Sequence, residues 1–345
     1  MNVLVTGGAG FIGSHIAQRW AERGHRLTVL DNLSRAQLLG KEQRSPRHNW
    51  DLLAAHPNVR RVEGDVRDEA LMNDLVASAD LIFHAASQTA VTASIERPDL
   101  DFSNNVVGAF RVLEAARRGG RQPTIIFCST NKVYGENVND VGVAQDADSY
   151  HFEELYRHGI SETFPIDLCQ HTPYGCSKLA GDLYMQDYAH LYGIKTGVFR
   201  MSCIFGTRQF GMEDQGWVAW FTIATLSGRP ITIYGDGKQV RDVLYISDLL
   251  DLYDAFVEGD HPHGVYNAGG GVDKTLSLLQ LLDLLQELTG RRSPVTFAPW
   301  RPSDQRVYIS DIRKAENELG WRPEVGVREG VAALVEWVSA NLELF

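Results

Sequence analysis

Five short apolar runs, NVLVT, RLTVLD, VRRVEGD, ADLIFHAA and TIIFCST, punctuate the first 130 residues. Between them lie FIGSHIAQRWAERG, RDEALMNDLVAS and NVVGAFRVLEAARRGG, whose apolar residues recur at three and four. Strand-like runs separated by amphipathic helices leave few topologies open, because each crossover must pack a helix back onto the sheet. The pattern predicts a parallel sheet covered by helices on both faces. Gly24 and Gly119 stand where two of these helices should be capped.

Residues 136 to 172 interrupt the rhythm with a polar stretch containing Asp and His, after which PYGCSKLAGDLYMQDYAHLYG reads as a long helix with Pro173 near its start. KTGVFRM reads as a sixth strand, and DVLYI with its following helix is expected to return to the same sheet. Beyond residue 201 the alternation becomes irregular. The fold class expected is α/β, a doubly wound Rossmann-like parallel sheet with a smaller α/β substrate domain. Its boundaries are placed at 1–200 for the first domain, with 240–262 returning to it, and at 201–239 and 263–345 for the second.

With 345 residues and 44% hydrophobic content the chain can bury a sizeable core. A formal net charge of −11 argues against nucleic acid and anionic membrane surfaces as partners, so a phosphate-bearing ligand must be met by local Arg, Lys or helix N-termini. Cys128, Cys169, Cys176 and Cys203 show no C-x-x-C spacing and are read as reduced thiols, with no metal site expected. No apolar run reaches membrane-spanning length, and no leader-like segment opens the sequence; a cytoplasmic location is the expectation.

VTGGAGFIG spaces Gly7, Gly10 and Gly13 between the first strand and first helix, with Phe11 and Ile12 opening that helix. Small residues there let a pyrophosphate approach the backbone and the helix N-terminus. A glycine triplet alone says little, but Asp31 ends the second strand at the distance a ribose-binding carboxylate requires. That carboxylate would accept from a ribose 2′-hydroxyl and repel a 2′-phosphate, which favours NAD over NADP; Arg35 leans the other way. Tyr174 and Lys178 lie four apart on the long helix, so the ammonium is expected to lower the pKa of the phenol. Such pairs are common, and this one gains meaning from following the glycine fingerprint and a strand ending in Ser129 and Thr130.

TGGAGFIG, DNLS, GDVRD, FHAAS, STNKVYG and PYGCSK together resemble the extended short-chain dehydrogenase/reductase family of nucleotide-sugar epimerases and dehydratases. The resemblance runs through GKQVRDVLYISDL and RPSDQRVYISD and covers essentially the whole chain. It implies catalysis by Thr130, Tyr174 and Lys178 and a tightly held NAD. Besides the glycine loop, Asp31, Tyr174 and Lys178, the cofactor contacts it implies are Asn32, Ser34, Arg35, Asp65, Val66, Ala85, Ala86, Asn105 and Ser129. It further implies a nucleoside-diphosphate sugar as substrate and a homodimer or homotetramer.

Sugar 4,6-dehydratases of this family carry Asp-Glu after the Thr, where this chain has Asn131 and Lys132. Neither residue can supply the acid and base that elimination of water needs. What remains is oxidation and re-reduction at one carbon. STNKVYG, PYGCSK, RQFGMEDQGWVAWF and GKQVRDVLY look like the CDP-tyvelose (CDP-paratose) 2-epimerase branch more than UDP-galactose 4-epimerase, which points to a CDP-linked sugar. Cys203 replaces the usual Asn that holds the substrate diphosphate. Arg241 and Arg301 are therefore expected to bind the diphosphate, with Asp304 nearby, while Gln88, Asn131, Lys132, Gln209, Gln215 and Trp217 shape the sugar or base pocket. Another nucleotide-sugar epimerase, such as a UDP-sugar 4-epimerase, a net dehydrogenase, or a non-catalytic NAD-binding scaffold are the alternatives.

Overall fold

The computed structural model describes residues 1–35 and 45–345. Strands β1 (Asn2–Thr6), β2 (Arg26–Asp31), β3 (Val59–Glu63), β4 (Leu81–His84), β5 (Thr124–Thr130), β6 (Thr196–Met201) and β7 (His263–Ala268) form a seven-stranded sheet in the order β7-β6-β5-β4-β1-β2-β3. The pairs β1–β2, β2–β3, β1–β4 and β4–β5 are parallel. β4 is buried at every residue and β1 and β5 at all but the first, so these strands read as continuous apolar runs. At the edge, β3 exposes Arg60, Arg61 and Glu63 and half-buries Val59 and Val62. The expected Rossmann-like sheet is present, and its strand order reverses beside β1, where α/β sheets open a crevice at their carboxyl ends.

Contacts divide the chain into two units. The first comprises Met1–Val133, Thr172–Arg200 and Tyr253–Tyr266. Its core joins Leu4, Leu30, Ile82, Val112, Leu113, Ile125, Phe127, Met185 and Val198. Helix Phe11–Glu22 ends at Arg23 with Gly24 left-handed beyond it (φ 80°), as the sequence suggested. At the end of helix Gly108–Arg118 the left-handed residue is Gly120 (φ 71°) rather than Gly119, which stays right-handed.

The second unit comprises Tyr134–His171, Met201–Leu252 and Asn267–Phe345. Here the sequence reading is corrected. Val240–Tyr245 does not join the large sheet; it pairs with Cys203–Phe205, Thr275–Ser277 and Val307–Tyr308, which fill its hydrogen-bonding edges. The strand that completes the large sheet is β7, and the segment returning to the first unit is Tyr253–Tyr266 rather than 240–262. Residues 134–171 also belong to the second unit, because their backbone and side chains bond within it. Tyr134 Oη donates to Asn267 Oδ1 at 2.6 Å, Tyr150 N to Lys238 O at 3.0 Å and Ile160 N to Ile309 O at 2.8 Å. Helices Trp217–Ser227, Leu278–Thr289 and Val327–Ala340 bury Phe221, Leu281, Leu285 and Leu334 in this unit's core.

Two buried polar groups anchor the first unit. Asp182, fully buried, meets Arg200 Nε at 2.9 Å and also accepts from Ser129 Oγ at 2.8 Å and Gln186 Nε2 at 2.6 Å. His84, equally buried, holds Thr6 Oγ1 with Nδ1 at 2.8 Å, and burial lowers its pKa to about 3.

Removing Arg200 leaves the Asp182 charge buried, so Arg200→Met should cost about 3–5 kcal/mol in urea unfolding, with much of the loss recovered in Asp182→Leu, Arg200→Met. His84 adds an acid dependence of defined sign. Between its ordinary pKa of 6.5 and its folded value of about 3, the unfolded chain binds the proton and the folded chain does not. Stability present above pH 6.5 is therefore lost as pH falls, by up to about 1.4 kcal/mol per pH unit from this group. His84→Gln should unfold with a shallower pH dependence from pH 6 to 4 (about 1 kcal/mol per unit).

Candidate active site

In the turn after β1, Gly7, Gly8 and Gly13 leave no room for a Cβ. Gly7 has φ 71°, and a Cβ there would stand 2.6 Å from Ala86 N. At Gly13 a Cβ would stand 2.2 Å from Gly7 O. This close approach brings the first turn of helix Phe11–Glu22 against the loop. Gly10 caps that helix with no side-chain hydrogen bond, and its first turn has no acidic residue, so the amides of Phe11, Ile12 and Gly13 begin it uncapped. Gly8, which the spacing did not single out, is equally constrained: its Cβ would overlap Val29 Cγ1 at 1.9 Å.

Asp31 ends β2 with Oδ2 accepting from Ala9 N at 2.9 Å and Oδ1 from Leu33 N at 2.8 Å. Burial raises its pKa, and these two backbone donors oppose the rise. The carboxylate is thus fixed beside the glycine loop with lone pairs still available. Beyond it, Asn32 donates to Asp65 Oδ2 at 2.9 Å and accepts from Ser34 Oγ at 2.6 Å. Asp65 is gripped by Arg67 through Nε (2.8 Å) and Nη2 (2.6 Å), which holds its pKa at about 2. A cavity of about 340 Å³ opens here, lined by Asn32, Ser34, Arg67, Gln88, Ala93, Glu96, Arg97, Leu100 and Asn104. Arg67 lies within GDVRD but was not singled out from the sequence, and Arg97 and Asn104 carried no motif signal. Arg35 is half-buried, and the side chain of Val66 is buried in the core cluster.

The glycine cradle, the uncapped helix and the Asp31 carboxylate fit a dinucleotide with a free ribose 2′-hydroxyl. Ala85 and Ala86 follow β4, their amides held by Thr6 O at 3.2 Å and Thr6 Oγ1 at 3.4 Å. Asn105 and Gln88 are occupied by the protein itself. Asn105 Nδ2 donates to Gln88 O (3.0 Å), Asp101 Oδ1 (3.2 Å) and Ser177 Oγ (2.9 Å), and Gln88 Nε2 donates to Ala90 O (2.9 Å) and Asp101 Oδ1 (3.0 Å). Asp101, missed in the sequence, is the hub of this network, and burial raises its pKa. Ser129 likewise gives its hydroxyl to Asp182.

Thr130, Asn131, Tyr174 and Lys178 are brought together and buried. Thr130 ends β5, Asn131 follows it with Oδ1 3.3 Å from Thr130 Oγ1, and Lys132 N donates to Thr130 Oγ1 at 3.3 Å. Tyr174 and Lys178 come from helix Thr172–Tyr192, whose Tyr174 N donates to Ser94 Oγ at 3.2 Å. Burial pushes the Tyr174 phenol up to about 12, a hydroxyl hydrogen bond from Thr130 pulls it down, and Asp101 and Cys128 push it up further. The phenol thus lies above its ordinary value, where the sequence reading expected Lys178 to bring it down. Burial brings Lys178 itself down to about 8, and its Nζ lies 4.4 Å over the ring of Phe127.

The remaining candidates lie in the second unit. Cys203 accepts from Trp217 Nε1 at 3.3 Å, so the thiol serves as an acceptor there. Gln209 Nε2 donates to Ile204 O at 3.1 Å, and Gln215 exchanges backbone hydrogen bonds with Met212. Arg241 Nη2 donates to Asp304 Oδ1 at 2.7 Å and Arg301 Nη2 to Asp214 Oδ1 at 2.8 Å, with the Arg301 guanidinium 3.8 Å over the Tyr234 ring. Both arginines thus face carboxylates, and each keeps donors beyond those it uses. Among the described residues no group of three or more His, Cys, Asp or Glu is placed to hold a metal ion, and no helix is long and apolar enough to cross a membrane.

Comparison with known proteins agrees with this geometry. The sequence pattern of the NAD dependent epimerase/dehydratase family matches residues 3–269. The chain is 38% identical to the CDP-paratose 2-epimerase of Salmonella typhi, over 99% of this chain and 100% of that protein. Its fold matches the UDP-glucose 4-epimerase of Thermotoga maritima, solved with UDP-glucose, with a TM-score of 0.82 and 32% identity over 99% and 100% of the two chains. It also matches the UDP-glucose 4-epimerase of Thermus thermophilus, solved with NAD, with a TM-score of 0.81 and 31% identity over the same shares. On a pattern match over most of its length and full-length likeness to characterised epimerases, the chain belongs to the NAD-dependent epimerase/dehydratase family of extended short-chain dehydrogenases/reductases.

Proposed function

We propose that this enzyme inverts C2 of a CDP-linked 3,6-dideoxyhexose, interconverting CDP-paratose and CDP-tyvelose through a 2-keto intermediate. The observation that carries the reading is the end of β5. There Thr130 hydrogen-bonds the Tyr174 phenol, and the next two positions hold Asn131 and Lys132 instead of carboxylates. A site with one proton-transfer group and no acid–base pair suits oxidation and re-reduction at a single carbon, not loss of water. The likeness to the Salmonella enzyme supports C2 as that carbon.

The chemistry that NAD supplies when bound is reversible hydride acceptance at the nicotinamide, together with a positive charge that favours the phenolate over the phenol. The glycine loop, the amides of Phe11 to Gly13 and Asp31 would hold the dinucleotide, with Asn32, Ser34 and Arg35 toward its adenosine end. Tyr174 would take the proton from the 2-hydroxyl and later return it, while Thr130 holds that oxygen. Lys178 would bond the nicotinamide ribose. Arg241 and Arg301 would bind the diphosphate with donors that Asp304 and Asp214 leave free, these carboxylates fixing the guanidinium planes. A homodimer is part of the proposal, supported by the exposed Phe102, Leu183 and Tyr184 on helical segments.

A 4-epimerase reading is favoured by the fold match to UDP-glucose 4-epimerases. Incubation with CDP-, UDP- and GDP-sugars in heavy water separates the two. The expected result is a C2 epimer of a CDP-sugar, no deuterium at C2 and no net NADH; turnover of a UDP-sugar at C4 instead would displace the proposal. Tyr174→Phe should fold and bind NAD as wild type does, yet lose turnover by about 10²–10⁴ in steady-state assays.

A further inference from the structure

Lys178 is 3% exposed, and a buried ammonium requires something to replace water. Asp182, the fully buried carboxylate on its own helix, is engaged by Arg200, Ser129 and Gln186. What lies beneath Nζ is the face of Phe127, with the centroid 4.4 Å away. The negative face of an aromatic ring attracts a cation most strongly where water is excluded, and Phe127 is 1% exposed.

Two features lodge the ring at that place. Gly181 lies three residues after Lys178, on the same face of the helix, and a Cβ there would stand 2.7 Å from Phe127 Cζ. Only a residue without a side chain lets the ring slide under the helix at this point. His84 on β4 stacks against Phe127 with centroids 5.8 Å apart and planes 19° from parallel, and Thr6 fixes the imidazole in turn. The titratable groups around Lys178 are Asp101 from helix Pro98–Phe102, Cys128 from β5, Asp182 from its own helix and the neutral His84 from β4.

We propose that Phe127 is a positioning residue for Lys178: its ring face, admitted by Gly181 and backed by His84, seats the ammonium inside the first unit and keeps it cationic. The inference deepens the role given to Lys178 above and rests on that reading for its catalytic meaning. Its physical content is tested without any sugar nucleotide. The titration of Lys178 is followed by NMR on the purified full-length protein carrying isotope-labelled lysine, with Lys178→Met identifying the resonance. Phe127→Leu should lower the titration midpoint by about one pH unit. Gly181→Ala, which keeps the ring but displaces it, should lower the midpoint as well.

Replacing Phe127 by mono-, di- and trifluorinated phenylalanine keeps the shape of the ring while draining its face of negative charge. The midpoint should then fall stepwise with each fluorine, even if Phe127→Leu fails to fold. A midpoint that stays constant across the fluorinated series overturns the proposal, whatever the leucine variant does. Failure of the C2 reading would show only in product analysis and would leave this titration unchanged.

Discussion

One buried carboxylate fixes the helix that carries Tyr174 and Lys178. Asp182 on helix Thr172–Tyr192 takes hydrogen bonds from Ser129 on β5 and Arg200 on β6, so the helix is pinned to two adjacent strands at once. Tyr174 and Lys178 lie two turns and one turn earlier, and their distance from the end of β5 follows from that anchor. A charge this deep is tolerated because nearly every lone pair is used, and its loss on one side would be expensive. The pair contributes orientation more than net stability.

Around the other flank, Gln88, Asp101, Asn105 and Ser177 form a second buried polar network. Asn105 and Gln88, singled out from the sequence as ligand contacts, also hydrogen-bond one another and Asp101. Asn105 and Gln88 hold the segment after β4 against the long helix, and Asp65 is locked by Arg67. The network holds these segments in one arrangement, with Asp101 Oδ2 left without a hydrogen-bond partner among the described residues.

Tyr174 and Lys178 are displaced in opposite directions by the same cause. Burial raises Tyr174 to about 12 and lowers Lys178 to about 8, favouring the neutral form of each. The phenol is therefore a reluctant base in the protein alone, and a cationic ring arriving beside it would shift that balance.

Much of this was legible from residue order. Apolar runs at strand length and helical periods between them determined the sheet, because a strand buried on both faces has to be apolar throughout. The glycine spacing, Asp31 and the Tyr174–Lys178 pair determined the dinucleotide fold and its family, because backbone approach and side-chain spacing along one element are local properties. Only the tertiary structure decided that Val240–Tyr245 leaves the large sheet to β7, since strand partners are chosen by edges that other segments have already filled. It alone showed that Lys178 Nζ lies over the Phe127 ring, and that Arg241 and Arg301 face Asp304 and Asp214. Those outcomes depend on residues dozens of positions apart meeting in a space from which water is excluded, and no local pattern encodes them.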